Sequence, residues 1–159
     1  MAAEKVGENG KVIAIEPEPC NYRQLLKNIK LNNFKNVIIR NIALSDHKGT
    51  EQLYIHFLAG KHSLFIKNGT ISSIEVQVTT LDQLIEELGL NQIDVIKIDT
   101  EGAEMSILKG AERTLKANPN IKIIVASYHY PSERKEITLF LKERGFKPKI
   151  FQGGIVITI

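Results

Sequence analysis

The chain has 159 residues, 43% of them hydrophobic and 25% charged, enough for one domain with a substantial core and too few for two ordinary ones. No run reaches the roughly 18–20 apolar residues that span a bilayer, and the N-terminal MAAEKVGENG lacks the apolar stretch of a secretory signal. The single cysteine, Cys20, excludes an intramolecular disulfide and a cysteine-based metal site, and the net charge of +3 comes from lysines and arginines interleaved with acids, as in Glu133-Arg134-Lys135-Glu136. These features set the expectation of a cytoplasmic chain with no membrane and no nucleic-acid partner.

The predicted elements begin with a short apolar run at 12–15, then a helix-period stripe of Tyr22, Leu25, Leu26 and Ile29, then a second run at 37–42. Nearly continuous apolar runs of this length read as strands buried on both faces of a parallel sheet. Two segments break the pattern. Over 51–57, Leu53, Ile55 and Phe57 alternate with Gln52, Tyr54 and His56, and over 74–79, Ile74, Val76 and Val78 alternate with Glu75, Gln77 and Thr79. Period-two alternation predicts half-exposed antiparallel strands, joined by a loop through Gly60 and Gly69.

A second helical stripe, Leu81, Leu84, Ile85 and Leu88, is opened by the capping box Thr80-Leu81-Asp82-Gln83 and closed by Gly89. After a third apolar run at 93–98 comes the stripe Ile107, Leu108, Ala111 and Leu115. Gly110 interrupts it at about 1 kcal/mol relative to alanine, which predicts close packing of helix on sheet. A fourth run at 121–126 precedes the stripe Ile137, Phe140 and Leu141, which starts near Ser132 and stops at Gly145. Segments 147–152 and 155–159 form a predicted hairpin about a two-residue Gly153-Gly154 turn. The alternation predicts an α/β fold: a mainly parallel sheet with right-handed crossovers, an antiparallel insertion and a C-terminal antiparallel hairpin.

In open α/β sheets, ligands bind beyond the carboxyl ends of the strands. The runs end at Glu16-Pro17, near 41–46, at Asp99-Thr100-Glu101-Gly102 and at Ser127-Tyr128-His129, which gathers polar and acidic groups on one rim. Glu16 suits a carboxylate that accepts from both hydroxyls of a ribose, and equally a helix N-cap or a surface charge. Asp99 and Glu101 flank the end of what reads as the most buried strand, Gly102 permits a tight turn, and Glu104 falls in the next helix's first turn. One carboxylate would suffice for capping, so Asp99 is read as facing a cofactor or a substrate hydroxyl. His129 is a candidate general base or a solvated loop histidine. His47, His56 and His62 have no metal-ligand spacing, no metal site is expected, and Cys20 is expected to be inert.

Five blocks, taken in order, strongly resemble the FkbM-type methyltransferase family. They are Ala14-Ile15-Glu16-Pro17-Glu18-Pro19; Leu25 to Asn28 with Leu31-Asn32; Asn41 to Asp46 with Gly49; Thr80-Leu81-Asp82; and Ile96-Lys97-Ile98-Asp99-Thr100-Glu101-Gly102-Ala103-Glu104 with Leu108-Lys109-Gly110-Ala111. The resemblance implies a class I, Rossmann-like methyltransferase fold with S-adenosyl-L-methionine as cofactor. It also implies O-methylation of a sugar, polyketide or other small-molecule hydroxyl. It implies that Glu16, beside Pro17, holds the ribose, that backbone groups at Ile42 and Ala43 flank the adenine, that Asp99 lies at the methyl-transfer end against the cofactor, and that Glu101 orients helix and site.

Two departures stand out. Ser127 occupies a position where the family often has Glu, and the family's opening Asp-x-Gly-Ala-Asn-x-Gly block is absent. The expectation is a single methyltransferase domain over 1–159, truncated at its N-terminus and lacking the first strand and glycine loop. Unpaired edges at 12–15 and 93–98 would then favour a homo-oligomer and weak cofactor binding by the chain alone. A non-catalytic remnant or interaction module of the same fold is the alternative. An RNA methyltransferase is suggested by the basic charge but lacks the Asn/Asp-Pro-Pro block of amino-directed enzymes, and a nicotinamide-binding domain would need a G-x-G-x-x-G upstream.

Overall fold

The computed structural model describes residues 2–56, 62–65, 69–151 and 154–158. A short helix α1 (Ala2–Lys5) leads into strand β1 (Val12–Ile15), helix α2 (Pro19–Leu31) and strand β2 (Val37–Arg40). β1 and β2 pair in parallel, from Val12 opposite Val37 to Ile15 opposite Arg40, so α2 is their crossover. Proline in the first turn and the Glu18 carboxylate, which accepts from the Asn21 N–H at 2.6 Å, fix where α2 begins. Its predicted stripe is half-buried, and no residue of the helix is fully buried.

The apolar run at 37–42 is not one strand. β2 stops at Arg40, and β3 (Ala43–Leu44) belongs to another sheet. The Asn41 side chain donates to the carbonyls of Glu16 and Pro17 at 2.8 and 2.9 Å, tying the end of β2 to the loop after β1 where the chain changes sheets. β3, β4 (Gly49–His56) and β5 (Thr70–Thr79) form the insertion in the order β3-β5-β4, with β3 parallel and β4 antiparallel to β5. The period-two pattern is realised there: Leu53, Val76 and Val78 pack with Ala43, while Gln52, Glu75 and Gln77 are exposed. Phe57 and Gly60 lie outside the described residues.

Helix α3 (Leu81–Glu87) follows, with Thr80 Oγ1 accepting from the Gln83 N–H at 3.1 Å. The predicted reciprocal arm of the capping box is redirected, because the Gln83 side-chain oxygen accepts from the Thr79 hydroxyl. Beyond strand β6 (Val95–Ile98), the predicted third helix is two, α4 (Glu104–Lys109) and α5 (Glu112–Ala117). Asp82 explains the division. Its carboxylate accepts from the backbone N–H groups of Arg113 and Thr114 at 2.9 and 2.7 Å, so α5 has its own cap, supplied from α3. Gly110 sits between them, where a Cβ would overlap the Ser45 carbonyl, which accounts for the glycine as a close approach of helix and sheet.

Strand β7 (Lys122–Ala126), helix α6 (Glu133–Glu143) and strands β8 (Pro148–Phe151) and β9 (Ile155–Thr158) complete the chain. The sheet order is β6-β7-β9-β8, with β6 and β7 parallel and the remaining pairs antiparallel. Phe151 lies opposite Ile155, so the antiparallel hairpin is present as predicted; Gln152 and Gly153 at its predicted two-residue turn, and Ile159, lie outside the described residues.

The main core forms around β7. Ile123 and Val125 are fully buried among Leu108, Leu115, Ile137, Leu141 and Val156, each burial contributing about 1.5–3 kcal/mol. β7, not β6, is therefore the most buried strand. Val95 is 54% exposed and Lys97 is also exposed, because β6 pairs with β7 alone among the described strands. β1 likewise pairs with β2 alone, so among the described residues β1 and β6 each keep one unpaired edge. The architecture is the α/β, Rossmann-like one: parallel pairs with helical crossovers, an antiparallel insertion and a terminal antiparallel hairpin.

Candidate active site

Parallel pairing of β6 and β7, with Ile98 opposite Val125, sends Asp99–Glu101 and Ser127–His129 off the same rim. Asp99 is exposed there. Its carboxylate meets Lys97 Nζ at 3.1 Å and accepts from the Tyr128 hydroxyl at 3.2 Å. Burial, and then the nearby Asp99 charge, raise the Tyr128 phenol above its ordinary value, so it stays a donor. Ser127 is buried and donates to the Gly154 carbonyl, so the residue standing where the family often has Glu tethers β7 to the hairpin.

The three acids of 99–104 divide their roles. Glu104 is fully buried; one oxygen accepts from the Thr100 N–H at 2.6 Å and the Thr100 hydroxyl at 3.0 Å, the other from the Gly102 N–H at 2.8 Å. Glu104 thus closes the turn before α4, as the capping reading would have it, and leaves Asp99 and Glu101 on the rim. Glu101 adopts φ 55 and Gly102 φ 106. A non-glycine residue in the left-handed region is strained by about 1–3 kcal/mol.

His129 is not solvated. Its side chain is 2% exposed, with Nδ1 3.4 Å from Glu133 Oε2 and 3.5 Å from Glu104 Oε1, and Nε2 3.8 Å from Glu101 Oε2. Its backbone N–H donates to Glu133 Oε2 at 2.8 Å. Burial, together with the neighbouring Glu104, pushes the Glu133 carboxyl up to about 7. The sequence reading missed Glu133 and the enclosure of His129. The available signal was their spacing of four residues, which puts Glu133 at the first turn of α6 directly behind the end of β7.

At the end of β1, in the separate two-stranded sheet, the N-cap of α2 is Glu18, which removes that reading for Glu16. Glu16 lies at the end of β1 with Oε1 accepting from the Glu18 N–H at 2.9 Å, and burial raises its carboxyl above the usual range. Asn41 binds the Glu16 and Pro17 carbonyls, which brings Glu16, Pro17 and Ile42 to adjacent strand ends. Ala43 is buried and in register with Val78 of β5. Glu16 fits a ribose-binding carboxylate in position, at a strand end and partly withdrawn from water. Beside His129, an open cleft of ≈ 650 Å³ is walled by Phe65, Met105, Tyr130, Leu139 and Phe140 among others.

Comparison with known proteins agrees with this fold. Residues 1–148 match the Methyltransferase FkbM domain family. The chain is 26% identical to the methyltransferase sdnD of Sordaria araneosa over 170 residues, covering 86% of this chain and 64% of that protein. It is 26% identical to the hexuronic acid methyltransferase AglP of Haloferax volcanii over 141 residues, covering 87% of this chain and 56% of that one. The chain therefore spans less than two thirds of the length of these relatives. The crystal structure of an FkbM methyltransferase from Methylobacillus flagellatus KT shares the fold with a TM-score of 0.63 at 17% identity, over 94% of this chain and 36% of that one.

Proposed function

The chain belongs to the FkbM methyltransferase domain family, and we propose that it serves S-adenosylmethionine-dependent O-methylation of a small-molecule or sugar hydroxyl. The observation that carries this reading is the convergence of Asp99, Glu101 and His129 on the ends of two neighbouring parallel strands. Glu16 at the end of β1 supports the ribose assignment. When bound, S-adenosylmethionine supplies a methyl group already activated on a sulfonium. What remains for the chain is to align the acceptor oxygen and to take its proton.

Asp99 is the preferred proton acceptor, because its carboxylate is exposed at the rim whereas the His129 imidazole is enclosed. Glu101 and His129 then shape the site from beneath. Backbone groups at Ile42 and Ala43, with Pro17, bound the adenine side. AglP, as a hexuronic acid methyltransferase, supports a sugar among the candidate acceptors.

The test is transfer of label from methyl-labelled S-adenosylmethionine to a panel of hydroxylated small molecules and uronic-acid-containing glycans. Label appearing on an acceptor oxygen, and lost in Asp99→Asn, supports the reading. Transfer that is indifferent to Asp99→Asn would move the chemistry elsewhere.

A further inference from the structure

Four carboxylates surround one imidazole at the ends of β6 and β7. The Nδ1 edge of His129 faces Glu133 and Glu104, both fully buried, at 3.4 and 3.5 Å. The Nε2 edge faces Glu101 at 3.8 Å, and Asp99, Glu101 and His129 offer one ligand atom each within 4.8 Å of one another. The His129 side chain is 2% exposed, yet neither ring nitrogen has a hydrogen bond. Buried polar atoms are nearly always satisfied, so two bare nitrogens among acids leave a place for a positive partner.

A neutral imidazole carries one N–H and one lone pair. The N–H belongs at Nδ1, because Glu133 and Glu104 are held behind it by the backbone N–H groups of His129, Thr100 and Gly102. The Nε2 lone pair then faces the Glu101 carboxylate, two acceptors turned toward each other. A cation between them resolves the conflict. Ligand atoms bound at about 2.0–2.2 Å to one ion lie about 3–4 Å apart at ordinary coordination angles, and Nε2 and the Glu101 carboxylate are 3.8 Å apart. A carboxylate on the far nitrogen of a metal-bound imidazole is also the usual orienting partner.

We propose that Asp99, Glu101 and Nε2 of His129 bind a divalent first-row metal ion, with Glu104 and Glu133 as positioning residues behind Nδ1. One imidazole with two carboxylates suits Mn²⁺, Co²⁺ or Zn²⁺ better than Ca²⁺. Lys97, now paired with Asp99, has a side chain 67% exposed and can turn to water when the ion enters. The spacing rules of a metal motif could not reveal this set, because its members come from two strand ends brought together by parallel pairing. The use of the ion to hold an acceptor hydroxyl rests on the methyltransferase reading above, and Asp99 would then act through the ion rather than as a free base; binding of the ion does not rest on that reading.

The experiment is titration of chelator-treated protein with Mn²⁺, followed by electron paramagnetic resonance, and with Co²⁺, followed by visible absorption, with no methyl donor or acceptor present. Wild type should take up one ion per chain saturably. Asp99→Asn and Glu101→Gln should each weaken uptake by at least about tenfold, and Glu133→Gln by about 10–100-fold, with circular dichroism unchanged for the rim variants. Absence of saturable uptake by the wild type, or wild-type uptake by Asp99→Asn, would overturn the proposal. Saturable, Asp99-dependent uptake in a protein that transfers no methyl group would uphold the ion site and count against the methyltransferase reading alone.

Discussion

The Ser63 hydroxyl donates to the Glu101 carbonyl oxygen at 2.6 Å, and Glu101 holds a left-handed backbone at φ 55. Ser63 is buried, and its backbone bridges to Tyr54 of β4. A single hydroxyl from the antiparallel insertion therefore clamps the strained turn that carries the rim carboxylates. The insertion does more than decorate the sheet; it fixes the site's backbone.

Ser63→Ala should lower stability by about 0.5–1.5 kcal/mol, the net value of a hydrogen bond, with more lost if the carbonyl stays buried and unpaired. Glu101→Gly should move stability the other way, by about 1 kcal/mol, because glycine adopts the left-handed conformation without strain. Urea unfolding midpoints at constant slope measure both. A destabilised Glu101→Gly would show that the turn is unstrained.

Gly110→Ala tests the helix-on-sheet contact. The added methyl would overlap the Ser45 carbonyl, which is backbone and cannot swing aside, so about 1–3 kcal/mol of stability should be lost despite alanine's better helix propensity. The melting temperature should fall by several degrees, and an unchanged or raised value would remove the packing explanation.

Much of the architecture was legible because hydrophobic period reports burial. The run at 12–15 became β1 without change, and the alternation in 51–57 and 74–79 became the antiparallel pair β4 and β5. The misreadings have physical causes. Asn41 and Asp82 redirect the chain through side-chain bonds to distant backbone, at sequence separations of 25 and 32, which no local pattern reports. β6 looked the most buried strand because three of its four residues are apolar, but burial also needs neighbours, and it has one among the described strands. At the site, Asp99 and Glu101 were visible as acids at a strand end. The enclosure of His129 was not, because it depends on Glu133 arriving from α6.

Glu18→Ala should cost about 0.5–2 kcal/mol at neutral pH through loss of the α2 cap. Burial alone would raise the Glu18 carboxyl, but hydrogen bonds from the backbone N–H groups of Cys20 and Asn21 outweigh it and the net shift is downward from 4.5. A lowered folded-state value means the stabilisation is present above about pH 4.5 and is lost as pH falls through the folded value. The gap between wild type and Glu18→Ala should therefore close in acid. Parallel stability curves across pH 3–7 would contradict this.

The unpaired edges of β1 and β6, with Val95 54% exposed on the latter, should promote association through added strand pairing. Sedimentation velocity over a concentration series should show a rising weight-average mass, which a charged substitution at Val95 should reduce. A concentration-independent monomer would contradict it.

The most direct test of the account as a whole needs no acceptor. Amide resonances, which report binding even when it is weak, are followed during titration with S-adenosylhomocysteine, in wild type and in Glu16→Ala. Shifts in the wild type should cluster at the ends of β1, β2 and β6, around residues 16–17, 41–43 and 99–102. Loss of charge-assisted hydrogen bonds worth about 1.5–3 kcal/mol each should weaken binding by at least about tenfold in Glu16→Ala. Equal affinities in the two proteins, or shifts confined to other surfaces, would contradict the assignment of this rim as the methyl-donor site.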